Sequence, residues 1–180
     1  MKKFIVACIV LSVGVIACDS KTESSSTGTT STTDATASTV TLPYKANYST
    51  QFNNNVSDSE LLTVLNSYKA WEDGDMKALR ATMDDSAYVD GADGFKFQGL
   101  TDSLMGTWAK HRDSLSSVKI SMDVWLKNHS LKDSANFINV WYKEIDTYKN
   151  GKVDSANYED DNGMKKGKII WYSSHRQVLK

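Results

Sequence analysis

Part-way along this chain the apolar residues switch from recurring every 3.6 positions to every 2, and that switch limits the fold more than any other feature. Before it, Leu61, Leu62, Leu65, Tyr68 and Trp71 follow at helical spacing behind Ser57-Asp58-Ser59-Glu60, which has the residues of a capping box. Asp73-Gly74-Asp75 reads as a turn whose Asp75 can cap a second helix over 76–83, with Leu79 and Met83 facing inward. Residues 87–90 and 95–97 read as short strands divided by Gly91-Ala92-Asp93-Gly94. Thr101-Asp102 is expected to cap a third helix in which Leu104, Trp108, His111 and Leu115 share one face, so an imidazole lies on an apolar stripe.

After the switch, Val118, Ile120, Met122 and Val124 alternate with Lys119, Ser121, Asp123 and Trp125, the pattern of a half-buried strand. A longer strand is predicted from about 135 to 148, and Asn150-Gly151 turns it into another over 152–159. Asn162-Gly163 and Gly167 lead into a last strand over 168–178. Helices followed by a meander predict an α+β domain, with three N-terminal helices on a curved, mostly antiparallel sheet. Such a domain, 57–180, is large enough for one real core.

The first third has a different character. Met1-Lys2-Lys3 precedes an apolar run from Phe4 to Ala17, long enough for a signal-peptide core and short of the ~20 residues that span a bilayer as a helix. The run ends Val15-Ile16-Ala17-Cys18, which resembles the lipobox of bacterial lipoproteins. That resemblance implies a signal peptide over 1–17 and a lipid on Cys18, giving a protein anchored in the bacterial cell envelope, at the outer membrane, rather than spanning it. Cys8 would leave with the signal, so no disulfide is expected and stability must come from the core. Residues 18–43 hold the lipidated Cys and a tether, because 15 of the 24 residues from Asp19 to Leu42 are Ser or Thr. Residues 44–56 form a lead-in, extended or irregular, whose Tyr44, Tyr48 and Phe52 are expected to settle on the domain.

With 21 Lys and Arg against 22 Asp and Glu, the chain lacks the basic excess of a protein that tracks phosphates, so nucleic acid is excluded as a partner. Three scattered His without paired Cys or a His-Glu-x-x-His motif argue against zinc, and Asp160-Asp161-Asn162-Gly163 lacks the alternating oxygen ligands of a calcium loop and reads as a turn. No cofactor is expected. Five Asp-Ser-Ala or Asp-Ser-Leu triplets, such as Asp85-Ser86-Ala87, resemble the O-glycosylation acceptor of some bacteria that export lipoproteins.

Three segments together resemble a known family. Tyr68-Lys69-Ala70-Trp71-Glu72-Asp73-Gly74-Asp75, then Tyr88-Val89-Asp90-Gly91 with Gly99 before a Trp-bearing helix, then Gly167-Lys168-Ile169-Ile170 opening the last strand, are similar to the nuclear transport factor 2-like superfamily, especially its SnoaL-like branch. The resemblance covers 57–178. It implies a cone-shaped fold with a pocket and often a homodimer. It assigns no reaction, since isomerases, cyclases and non-enzymes share the shape.

Acid-base chemistry in such a cone would need a carboxylate or His in apolar surroundings, and the candidates are Asp90, His111, Asp123 and His175, with His111 and Asp90 foremost and Asp123 on the polar side of its strand. An aromatic set including Tyr68, Trp71, Tyr88, Trp108, Trp141 and Tyr172 is heavy for so small a domain and suits the walls of a pocket for an amphipathic or aromatic small molecule. The expected function is ligand or partner binding without catalysis. The alternatives are a SnoaL-like isomerase or cyclase-type enzyme, and a dimeric scaffold whose cone is packed shut.

Overall fold

The computed structural model describes residues 43–179, and the expected signal peptide, Cys18 and nearly all of the expected Ser/Thr tether lie outside them. Helix α1 (Asp58–Asp73) begins at the expected capping box: Ser57 accepts from the Glu60 amide while the Glu60 carboxylate reaches back to Ser57. It ends at Gly74, whose φ of 73° is the left-handed cap that a residue without Cβ adopts at low cost. Asp75 accepts from the Ala78 amide to start α2 (Met76–Thr82). The strands β2 (Met83–Asp90) and β3 (Lys96–Leu100) form a hairpin, followed by α3 (Thr101–Arg112). Thr101 does not cap that helix, because its hydroxyl donates to the Asp84 carbonyl and the N-cap position belongs to Leu100.

Four long strands follow, β4 (Leu115–Ser130), β5 (Asn136–Tyr148), β6 (Val153–Lys165) and β7 (Lys168–Val178). With the two-residue β1 (Phe52–Asn53) they make a seven-stranded sheet in the order β1-β4-β5-β6-β7-β2-β3, antiparallel throughout except where β2 runs parallel to β7. The core lies between the inner sheet face and the helices, where Val64, Val89, Leu104, Ile138 and Val140 are fully buried. Arg112 ties α3 to the end of α1 by donating to the carbonyls of Trp71 and Glu72, both at 3.0 Å. Carbonyls at a helix C-terminus lack intrahelical donors, and a cation complements the dipole there.

Three sequence expectations change at this level. Asp160-Asp161-Asn162-Gly163 is not a turn but part of the second half of β6, paired on both sides. Gly163 makes room for an aromatic, since a Cβ there would stand 3.1 Å from Trp171, which meets Phe137 edge to face. In β4 the register shifts between Met122 and Val124, so Trp125, not Val124, pairs with Val140 of the inner face. One extra residue in a strand moves every later side chain to the opposite face. The lead-in aromatics do not settle on the domain: Tyr44 and Tyr48 are exposed and Phe52 nearly half so.

Candidate functional site

Strand alternation decides what faces the helices. On β5 the buried positions are Ile138, Val140, Tyr142, Glu144 and Asp146, so two carboxyl groups continue an apolar row. On β6 the inner row holds Tyr158, Asp160 and Asn162, and on β7 it holds Tyr172, Ser174 and Arg176. Between these rows, the helices and the turn from Gly91 to Phe95 lies a cavity of about 390 Å³. The cone is therefore not packed shut.

Asp160 anchors the wall. It is completely buried, and one of its oxygens, Oδ2, accepts from the hydroxyls of Tyr68, Tyr142 and Tyr172, each at 2.9 Å. Asn162 joins the cluster by donating to the Tyr68 hydroxyl and to the Ile138 carbonyl. Burial raises the Asp160 pKa to about 6, against the pull of the surrounding hydroxyls, which favour the carboxylate. The same burial pushes the phenols of Tyr68, Tyr142 and Tyr172 well above their usual value, so all three remain protonated donors. The rings interlock, with Tyr68 edge-on to Tyr142 and Tyr142 stacked on Tyr158 at 5.2 Å.

Glu144 faces the cavity itself. Burial, and then repulsion by Asp146, raise its pKa to about 8, so the folded protein favours its protonated form. Burial raises Asp146 as well, while the nearby His111 acts in the opposite direction. At this same end of the site, Arg176 donates to the Tyr158 hydroxyl and to Asp154, 2.6 Å away, the residue paired with Asp146. Among the described residues, no three His, Cys, Asp or Glu side chains converge as metal ligands.

Of the residues singled out in the sequence, Tyr68, Trp71, Trp108, His111 and Tyr172 border the cavity. His111 does so at the exposed rim, stacked on Trp71 with ring centroids 6.0 Å apart. Four others do not. Asp90 is half-exposed and paired with Lys96, and Tyr88 alternates outward from buried Ala87 and Val89. Trp141 lies on the sheet face opposite Tyr142 and Glu144, and His175 is exposed beside Glu159 on the same outer side. Glu144 and Asp160, which sequence reasoning passed over, are the two acids of the site. The alternation Ile138, Val140, Tyr142, Glu144 was the signal that placed the first of them inside.

No family model matches the sequence, and no curated protein is similar to it in sequence. The solved structures are more informative. A nuclear transport factor 2-like protein of unknown function from Burkholderia pseudomallei superposes with a TM-score of 0.54 at 16% identity, covering 68% of this chain and 92% of that one. This chain has a nuclear transport factor 2-like fold. The same architecture is shared with an LEH-like epoxide hydrolase of M. tuberculosis, at TM-score 0.57 and 8% identity over 67% of this chain and 84% of the other. It is shared too with AclR, a putative hydroxylase from Streptomyces galilaeus, at TM-score 0.54 and 8% identity over 68% and 77%. Identities this low speak for the fold and leave the chemistry to the residues.

Proposed function

We propose that this protein is a lipid-anchored, extracytoplasmic binding module that holds a small amphipathic or aromatic ligand in its cone. The observation that carries the reading is the 390 Å³ cavity walled by Trp71, Trp108, Tyr142 and Tyr172, with Glu144 as a polar contact. Pockets of this size with aromatic walls and few polar groups suit small molecules. A thermal-shift screen of small amphipathic compounds tests it, with Ala92→Trp as the control. Ala92 is exposed at the mouth, so a bulky ring there should close the cavity and abolish the stabilisation by true ligands. Hits that stabilise this variant equally would be binding elsewhere, and a screen without hits would count against the module.

Anchoring rests on the run Phe4 to Ala17 ending at Cys18. Cys18→Ala should move the protein from the membrane fraction of its host and remove the lipid mass. A homodimer through the outer sheet face is part of the reading, since Val124, Leu126, Trp141 and Trp171 lie together on that side. Sedimentation of wild type against Leu126→Arg tests it, with the variant expected to be monomeric.

A second reading is favoured by one observation. An acid with a pKa of about 8 inside an aromatic cavity can hand a proton to a bound substrate at neutral pH, so Glu144 could serve an acid-base enzyme in place of Asp90. The epoxide hydrolase among the similar structures shows that this architecture accommodates catalysis. Turnover lost in Glu144→Gln with ligand affinity retained would establish that reading over simple binding.

A further inference from the structure

The hydrogen-bond inventory of the cavity wall says what kind of ligand it suits. Each tyrosine hydroxyl has a single proton, and those of Tyr68, Tyr142 and Tyr172 are all committed to Asp160. Their remaining capacity is to accept. The Asn162 amide donates to Tyr68 and Ile138, and the Arg176 guanidinium to Tyr158 and Asp154. The guanidinium, the amide and three of the four tyrosine hydroxyls of the inner wall are thus already engaged within the protein, which leaves the Tyr158 hydroxyl, accepting from Arg176, and the carboxyl of Glu144 as the polar groups free to meet a ligand.

The charge balance points the same way. Glu144, Asp146 and Asp160 are all buried on the inner face, and among the described residues none of them forms an ion pair. The two guanidinium groups nearby have other partners, Arg112 on the α1 carbonyls and Arg176 on Asp154. Aromatic faces surround the remaining space, and a ring face attracts a cation.

From this we infer that the cavity takes its ligand by a protonated amine, held by the Glu144 carboxylate among the rings of Trp71, Tyr142 and Tyr158. The inference rests on the reading of the cone as a binding pocket and names the class of its ligand. A neutral molecule of the same shape can share a hydrogen bond with Glu144 but gains no charge-assisted one, and a carboxylate would bring a further anion among three buried acids. Binding would also ionise Glu144: its proton leaves for solvent while the ligand ammonium keeps its own.

Three probes of one shape separate the cases on the full-length protein: phenethylamine as its ammonium, 2-phenylethanol and 3-phenylpropionate, titrated by calorimetry at pH 7. A charge-assisted hydrogen bond in a buried site predicts that the amine binds about tenfold or more tightly than the alcohol, with the propionate weakest. In Glu144→Gln the amine-to-alcohol ratio should fall to about one, because the amide keeps the shape and loses the charge. Should that variant not fold, wild type titrated in two buffers of different ionisation enthalpy counts protons, and amine binding should release a proton while alcohol binding releases none. Alcohol or propionate binding as tightly as the amine would overturn the inference and leave the pocket reading intact. The absence of binding by all three at millimolar concentration would overturn both.

Discussion

Glu144→Gln, followed across pH, probes the electrostatics of the cone without requiring a ligand. The carboxyl is 8% exposed, and its pKa rises from 4.5 to about 8 on burial. An acid that holds its proton more tightly when folded stabilises the fold most when protonated in both states, below about pH 4.5. That contribution falls as pH climbs through the unfolded value toward the folded one. Between pH 5 and 8.5 the shift corresponds to a loss of about 3–4 kcal/mol in wild type, at ~1.4 kcal/mol per pKa unit. Glutamine cannot ionise and should not pay that cost. Its own fixed effect on packing and hydrogen bonding is the same at both pH values and cancels in the comparison. The assay is urea unfolding followed by tryptophan fluorescence on both proteins at pH 5 and pH 8.5. The stability of Glu144→Gln relative to wild type should improve by about 2–4 kcal/mol at the higher pH, the lower figure allowing for Asp146 sharing the titration. An unchanged difference at the two pH values would mean that Glu144 titrates as a solvated acid, and the low-dielectric surroundings argued for it would be refuted.

Other consequences can be measured on the same protein. Tyr142→Phe removes one of three hydroxyl donors to a buried carboxylate, and should cost about 1.5–3 kcal/mol in denaturant unfolding at pH 7 while raising the Asp160 pKa further, seen by carbon NMR of that carboxyl. Gly163→Ala places a methyl 3.1 Å from Trp171 on a strand paired on both sides, and should destabilise by about 1–3 kcal/mol with altered near-ultraviolet circular dichroism. Ser57→Ala deletes the capping box of α1 and should cost about 1 kcal/mol without affecting the cavity. Thermal melts of that last variant with and without a ligand should show the same ligand-induced shift as wild type.

The fold was legible because local signals agreed with one another. The capping box at Ser57, the glycine cap at Gly74, the Asp75 cap and the Asn150-Gly151 hairpin each sit where the chain turns. The last strand matches its expected span of 168–178. The site was less legible for a particular reason. Asp160, Asp161, Asn162 and Gly163 have turn chemistry, yet Asp160 is held in a strand by tyrosines distant in sequence, Tyr68 from a helix and Tyr142 and Tyr172 from two neighbouring strands. Local propensity cannot register partners that only the sheet brings together. His175 and Trp141 illustrate the complementary limit. Period 2 shows that a strand has two faces, while the choice of inner face depends on where the helices lie. The bulge at Met122–Val124 is a third case, since one inserted residue reverses the alternation without any glycine to mark it.

The central claim is that the cone is a binding site. Native mass spectrometry on the full chain, purified gently from its own host, addresses it most directly. A reproducible extra mass that denaturation releases, and that Ala92→Trp protein lacks, is the predicted result. Wild-type protein carrying no extra mass, and gaining none when offered phenethylamine, 2-phenylethanol or 3-phenylpropionate, would contradict it.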